Sequence, residues 1–155
     1  MGRVATKADT VGTLNTGEPT ADLRVDASGR LWIRPSLVAG AEAYASAAHT
    51  ATENLAAVAV PDGASKLALF VDVTAVGGDA NETLDIDVEW SPDAGTTWFA
   101  VETAQSFAQI LQTGGADQNV CKQFAVMAPH YRLALTLAGT TPSFTFAVDH
   151  VGLYA

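Results

Sequence analysis

The chain of 155 residues has little cysteine, little charge and no long apolar run, and each shortage excludes a class of protein. A single cysteine, Cys121, cannot form an intramolecular disulfide, so packing or assembly must stabilise the fold. Because Cys121 lies in an apolar run, we interpret it as a small buried hydrophobe. No segment approaches the ~20 consecutive apolar residues of a membrane span, and Met1 to Thr20 lacks the pattern of a secretion signal. We therefore expect a soluble protein that is made in the cytoplasm and has no membrane partner.

Basic residues are also scarce. The chain has 8 Lys and Arg against 17 Asp and Glu, a formal net charge of -9. Nucleic-acid binding needs clustered Lys and Arg to contact phosphates, so we expect no nucleic-acid partner. Charged residues make up 16% of the chain, below the ~25% of an average globular protein. A weakly charged surface fits a protein that buries part of its exterior against partners, although an alanine-rich core would also raise the apolar fraction.

The few basic residues concentrate near the N-terminus. Five of the eight lie in residues 1–35: Arg3, Lys7, Arg24, Arg30 and Arg34. Residues 1–21 have too few aliphatic side chains to fold alone. We therefore predict an extended arm over residues 1–35, in which Arg3 and Lys7 contact an acidic neighbour and Leu31, Trp32 and Ile33 provide an apolar anchor. We expect this arm to cross onto a neighbouring subunit or another protein surface.

Two short segments connect the arm to the rest of the chain. Residues 23–34 contain two alternating runs around Asp26-Ala-Ser-Gly29, which predicts a short β-hairpin. Residues 36–52 contain seven alanines but few large apolar side chains. We interpret them as a connecting loop with at most one helical turn.

From residue 53 onward, apolar residues alternate with polar ones with a period of two, as in half-buried β-strands. Glycine- and proline-containing turn signals separate the runs. The runs occupy residues 67–74, 84–90, 97–103, 107–113, 119–127, 131–137 and 144–151, with another before Pro61. About eight strands at this spacing predict an all-β fold, a two-layer antiparallel β-sandwich over residues 53–155. A jelly-roll-like strand order is compatible with this pattern.

The most specific local motif is Ser91-Pro-Asp93-Ala-Gly95-Thr-Thr-Trp98, which resembles the Asp-box hairpin of sialidases and other β-propellers. In such a turn the aspartate accepts hydrogen bonds from backbone N–H groups and glycine takes the left-handed position. Trp98 would then pack the next strand onto the core. A sialidase would need several boxes, and the chain has one, so we interpret these four residues as a structural turn.

Other patterns do not support catalysis, a bound metal or a cofactor. Asp85, Asp87 and Glu89 alternate along one strand, with Asp72 expected nearby. Successive carboxylates on one face of a strand lie ~7 Å apart, which is too far to bind one metal ion without ligands from loops. His49, His130 and His150 have no metal-ligand spacing; we place His130 in a turn and His150 at the edge of the core. No nucleophile motif is present. We expect a protein that is not an enzyme.

The combined pattern resembles small β-sandwich structural proteins of tailed bacteriophages. The likeness is carried by residues 67–75 (LALFVDVTA), 84–98 (LDIDVEWSPDAGTTW), 131–133 (YRL) and 139–146 (GTTPSFTF). Size, acidity and a basic arm are most similar to capsid decoration, or cement, proteins. The resemblance implies a homotrimer on the virion surface that binds the major capsid protein and reinforces the shell, after synthesis in the host cytoplasm.

Two other classes fit parts of the pattern. A tail or head-completion protein would share the sandwich and differ in ring symmetry. A carbohydrate-binding module would also be an acidic sandwich, with exposed Trp or Tyr side chains as its sugar platform. The candidates for such a platform are Trp32, Trp90, Trp98 and Tyr44. Trp90 and Trp98 fall in alternating runs and are expected in the core.

Overall fold

The structure is a computed structural model that describes the backbone of Leu23–Val25 and Leu31–Ile33, and residues 40–101 and 105–154 in full. The chain divides into two compact units, Met1–Ser36 and Leu37–Ala155. Arg3, Lys7 and the predicted turn Asp26 to Gly29 lie outside the described residues, as do the side chains of Leu31, Trp32 and Ile33.

The first unit contains the predicted β-hairpin. Strand β1 (Leu23–Val25) pairs antiparallel with β2 (Leu31–Ile33). In this register Leu23 is opposite Ile33, Arg24 is opposite Trp32 and Val25 is opposite Leu31. The hairpin predicted from the two alternating runs is therefore confirmed.

The second unit is built from ten strands in two antiparallel sheets. The strands are β3 (Ala41–His49), β4 (Glu53–Asn54), β5 (Val58–Ala59), β6 (Lys66–Gly77), β7 (Thr83–Ser91), β8 (Phe99–Ala100), β9 (Ile110–Leu111), β10 (Val120–Ala125), β11 (His130–Ala138) and β12 (Ser143–Leu153). Sheet I has the order β10-β6-β12-β3. Sheet II has the order β4-β11-β7-β8, with β5 also paired to β11 and β9 to β7. The described residues contain no α-helix, only a 3₁₀ turn at Gln112–Gly114.

Apolar side chains from both sheets form one core, which confirms the predicted antiparallel sandwich. The period of two along each long strand places every second side chain between the sheets. The buried residues contributed by sheet I are Leu67, Leu69, Val71, Val73, Phe124, Phe144, Phe146 and Val148. Those contributed by sheet II and its adjoining segments are Leu84, Ile86, Val88, Trp90, Phe107, Ile110, Tyr131, Leu133 and Leu135. These are the inward positions of the alternating runs.

The prediction of a connecting loop over residues 36–52 is wrong. The nine-residue strand β3 lies there and pairs with β12, from Phe144 opposite His49 to His150 opposite Ala41. Alanine is a poor signal for a strand because its side chain adds little apolar contrast. Pairing with a long neighbouring strand supplies the stabilisation that propensity lacks. The sandwich unit therefore begins before residue 53.

Two predicted strands are much shorter than their alternating runs. The run at residues 97–103 forms a strand only at Phe99–Ala100, and residues 102–104 lie outside the described residues. The run at residues 107–113 forms a strand only at Ile110–Leu111. Both short strands pair with β7, at opposite ends of it. On the other side of sheet II, β4 and β5 likewise divide one edge of β11 between them. Short, interrupted edges of this kind discourage uncontrolled strand pairing.

A buried carboxylate closes one end of the sandwich. Glu82, 1% exposed, lies just before β7, and its Oε1 accepts hydrogen bonds from the backbone N–H groups of Thr140 (3.0 Å) and Thr141 (2.7 Å). Its own carbonyl accepts the N–H of Gln112 at 3.0 Å. Glu82 thus joins the β6–β7, β9–β10 and β11–β12 connections. Gly139, at φ 117°, leaves the space that the carboxylate occupies.

The carboxylate requires glycine at position 139, since a Cβ there would overlap Glu82 Oε2. Gly115 provides a matched control, because its φ is also positive at 73° but a Cβ there would meet no atom within 4 Å. Gly115 has ψ -169°, a backbone conformation that is essentially restricted to glycine, so we expect Gly115→Ala to lower the free energy of unfolding by about 1 to 3 kcal/mol. Gly139→Ala should cost about 1 to 3 kcal/mol more, because it overpacks a buried site. Urea denaturation of both variants checks this; equal losses would contradict it.

Candidate interaction surfaces

The sandwich buries one side of each sheet, and the two remaining outward faces differ in chemistry. On sheet II, Asp85, Asp87 and Glu89 of β7 and Arg132 of β11 point away from the core; we call these four residues the charged face. Asp85 accepts hydrogen bonds from the Gln109 side-chain amide at 3.0 Å through both carboxylate oxygens. The acidic strip predicted from the alternation is therefore present and faces outward.

Arg132 organises one end of the charged face. It lies opposite Glu89 in the β7–β11 register, and its guanidinium donates through Nε (2.7 Å) and Nη2 (2.6 Å) to Glu89 Oε2. The guanidinium carbon also lies 4.4 Å from the centre of the Trp98 ring, a cation–π geometry. The expectation that Trp98 lies in the core is wrong. Trp98 is half-buried on the outward side of sheet II, beneath Arg132.

The Asp-box-like turn has the predicted internal hydrogen bonds. Ser91 Oγ donates to Asp93 Oδ1 and accepts the N–H of Gly95, both at 2.8 Å. Asp93 Oδ1 also accepts the N–H of Thr97 at 2.7 Å. Ala94 (φ 56°) and Gly95 (φ 90°) adopt the left-handed conformation that reverses the chain. The motif acts as a turn that connects β7 to β8.

The other proposed aromatic platform residues are engaged elsewhere. Trp90 is 2% exposed, within the core as expected, and its Nε1 donates to Gln105 Oε1 at 2.8 Å. Tyr44 is half-buried, and its hydroxyl donates to the Ala56 carbonyl at 2.8 Å. Burial raises the pKa of Tyr44 well above its usual range, so the hydroxyl stays protonated.

The described residues contain no group of three or more His, Cys, Asp or Glu side chains arranged to hold a metal ion. Asp72 is not adjacent to the acidic strip, because it points outward from sheet I rather than sheet II. His150 lies at the core edge as expected; its Nδ1 is 2.9 Å from the Tyr131 hydroxyl, and burial lowers its pKa. His130 was placed in a turn, but it begins β11, paired with Ala59 and Ser91.

The outward face of sheet I carries as many charged residues as the charged face, namely Glu42, Lys66, Asp72 and Asp149, but it also includes an exposed aromatic side chain. Phe70 on β6 is 43% exposed; Cys121 of β10 lies opposite it on one side and Asp149 of β12 on the other. We call Ala68, Phe70, Asp72, Cys121, Asp149 and Val151 the Phe70 face. Cys121 was expected to be buried, but it is exposed. Its run alternates, and Cys121 falls on the outward phase, whereas Phe124 falls on the inward one.

Sequence reasoning did not identify the Phe70 face. The outward phase of β6 could be read from its alternation, and an aromatic residue on that phase was the available signal. Its neighbours across the sheet come from β10 and β12, about 50 and 80 residues later in the chain. Only the pairing register reveals which residues surround Phe70.

Comparison of the chain with protein-family models, with curated proteins and with solved structures found no match. Among the described residues, no helix has the length and apolarity needed to cross a bilayer. The functional interpretation therefore depends on the surfaces described above.

The charged face generates a pH-dependent stability prediction. Burial, followed by repulsion from Asp85 and Glu89, raises the pKa of Asp87 above its usual range. Charged Asp87 is therefore less favourable in the folded chain than in the unfolded chain, and this penalty exists only at pH values above the ordinary Asp range. We expect Asp87→Asn to raise Tm at pH 7 relative to the wild type. The gain should disappear as pH falls through the Asp range, measured by thermal denaturation between pH 7 and pH 3.

Asp93→Asn is the control of opposite sign. Hydrogen bonds from the Thr97 backbone, the Thr97 side chain and Ser91 hold the pKa of Asp93 below its usual range. Its charged form stabilises the fold at neutral pH and loses this contribution as pH falls through the folded-state pKa. Asp93→Asn should therefore lower Tm at pH 7, with the difference closing in acid. If Asp87→Asn lowers Tm at pH 7, as Asp93→Asn is expected to do, the electrostatic interpretation of the charged face is wrong.

Proposed function

We propose that the protein is a non-enzymatic structural protein of a phage virion, one that binds the outside of the capsid as an oligomer and reinforces the shell. The observation that carries the proposal is the contrast between the two outward faces. On the charged face Glu89 pairs with Arg132 and Asp85 accepts hydrogen bonds from Gln109, whereas the Phe70 face exposes an aromatic ring beside small and apolar side chains, with Asp72 and Asp149 around them. A face of the second kind is suited to burial against another protein.

Strand order supports a jelly-roll interpretation of the sandwich. If β4 with β5, and β8 with β9, each count as one interrupted strand, both sheets have four strands. Successive strands then alternate between sheets, except that β7 is followed by β8 and β9 within sheet II. Two interleaved Greek keys give this order, and viral capsid proteins are among the proteins that use the jelly roll. The fold itself does not specify a function.

The proposal assigns no chemistry to the hydrogen-bonded polar pairs of the described residues. Glu89 is paired with Arg132, Ser91 with Asp93, and Tyr131 with His150. The pair of Ser91 and Asp93 closes the turn between β7 and β8, which is a structural role. The proposal includes no cofactor and no metal.

Tail and head-completion proteins remain the alternative, because they would share every feature described so far. A carbohydrate-binding module is less well supported. Its flat sugar platform would need an exposed Trp or Tyr ring, whereas Trp90 is buried and the ring of Trp98 is covered by Arg132. The proposed partners are further copies of the chain, as a homotrimer, and the major capsid protein.

The oligomer and its location can be tested together. We expect multi-angle light scattering of the purified protein to give the mass of three chains, where one chain is 16.0 kDa. Quantitative mass spectrometry of density-purified phage particles from cells that express the gene should find the chain in a copy number similar to that of the shell protein. Such stoichiometry is expected because a decoration protein repeats with the lattice.

Other outcomes discriminate between the alternatives. A hexamer or larger ring, present in particles at a small fraction of the shell protein, would replace the decoration assignment with a tail or neck role. A monomer absent from the particles would overturn the proposal altogether.

A further inference from the structure

We infer that the Phe70 face binds the N-terminal hairpin segment, residues 23–34, of a neighbouring copy of the chain. This inference rests on the proposed oligomeric function and names the contact through which the oligomer forms. It is carried by the exposure of Phe70, by the charge around it and by the composition of the segment.

The apolar part of the Phe70 face is continuous across three strands. Phe70 lies directly opposite Cys121 on β10, and Ala68 lies opposite Val151 on β12. Ala68 is only 9% exposed, so the side chains around it form a closed base beside Phe70, which is 43% exposed. An aromatic ring on such a base gains the most when it is fully desolvated by a partner.

Carboxylates surround this apolar centre. Asp149 lies opposite Phe70 on one side and opposite Glu42 of β3 on the other, and Asp72 follows on the outward side of β6. All three are exposed, and within the described part of the chain none belongs to an ion pair. One basic residue, Lys66, lies on the same side of β6, two positions before Ala68, so three carboxylates and one ammonium group leave this face with a net negative charge. Two such faces packed together would oppose like charges, which disfavours docking of the face on itself.

The hairpin segment has the complementary composition. Residues 1–36 have a net charge of +1, whereas residues 37–155 have a net charge of -10. Within 23–34, Arg24, Arg30 and Arg34 accompany six apolar residues, five of them larger than alanine, and a single acidic one. The β1–β2 register pairs Leu23 with Ile33 and Val25 with Leu31. A two-stranded hairpin is marginally stable alone and needs an apolar surface to pack on.

The exposed apolar side chains elsewhere do not form a comparable surface. Phe99, Leu111 and Met127 lie on β8, on β9 and in the β10–β11 connection. None lies on the outward side of sheet I. Phe99 is 55% exposed and therefore supplies a matched control for Phe70 on the other sheet.

Cys121 allows a direct test in the full-length protein, because it is the single cysteine, is exposed and lies opposite Phe70. Benzophenone-maleimide attached to Cys121 is photoactivated in a mixture of unlabelled and ¹⁵N-labelled chains, and cross-linked peptides are identified by mass spectrometry. We expect mixed-isotope cross-links between Cys121 and residues 23–34. A Cys121→Ser/Thr136→Cys variant, which moves the probe to the outward side of sheet II, should give none to that segment.

A second measurement uses association strength. Sedimentation velocity across a dilution series should show at least about tenfold weaker self-association for Phe70→Ser, as expected for an aromatic hot spot. Phe99→Ser should associate like the wild type. Because both side chains are exposed, circular dichroism should show both variants folded.

Every other outcome contradicts the inference and shows which alternative contact, if any, the protein makes instead. Cross-links confined to one isotope would show that the segment binds its own chain. Cross-links to residues 40–154 of another copy would show docking through a different surface. An oligomer without cross-links to residues 23–34 would exclude this contact but leave the proposed function standing, whereas a monomer that is also absent from phage particles would remove both.

Discussion

The structure depends on the apolar contact between its two sheets. Each long strand has one side that must face the other sheet, and the core formed in this way includes fully buried side chains from both, such as Leu69 of sheet I and Leu133 of sheet II. With no disulfide and no described α-helix, this contact is the main source of stability. It also determines which side chains remain outside, and therefore what the protein can present to a partner.

The outward faces of the two sheets differ in how their charged side chains are paired. On sheet II, Glu89 pairs with Arg132 and Asp85 accepts hydrogen bonds from Gln109, whereas Asp87 is repelled by both acidic neighbours. On sheet I the carboxylates around Phe70 belong to no ion pair among the described residues. Basic residues are concentrated in the N-terminal segment, so the chain carries its complementary charges in separate parts. A protein arranged in this way can use assembly to supply contacts that its fold omits.

Sequence reasoning predicted the features that follow from the alternation of apolar and polar residues along the strands, and little else. Strands β6, β7, β11 and β12 were predicted because large apolar residues recur with a period of two, which the core requires. Strand β3 was not, since alanine gives no contrast and its pairing with β12 is a tertiary effect. The hydrogen-bonded turn at Ser91 to Gly95 followed from local chemistry, whereas the position of Trp98 depended on Arg132, distant in sequence. The Phe70 face needed the register of three strands.

The central claim is that this protein works by burying the outward face of sheet I against another chain. Hydroxyl-radical footprinting tests it most directly, because oxidation reports the solvent exposure of individual side chains. In the isolated chain Phe70 (43% exposed), Phe99 (55%) and Met127 (58%) are all accessible to the radical and would all be oxidised. In the assembled protein the account predicts protection of Phe70 while Phe99 and Met127 stay reactive. Unchanged oxidation of Phe70 on assembly, with protection at Phe99 or Met127 instead, would contradict it.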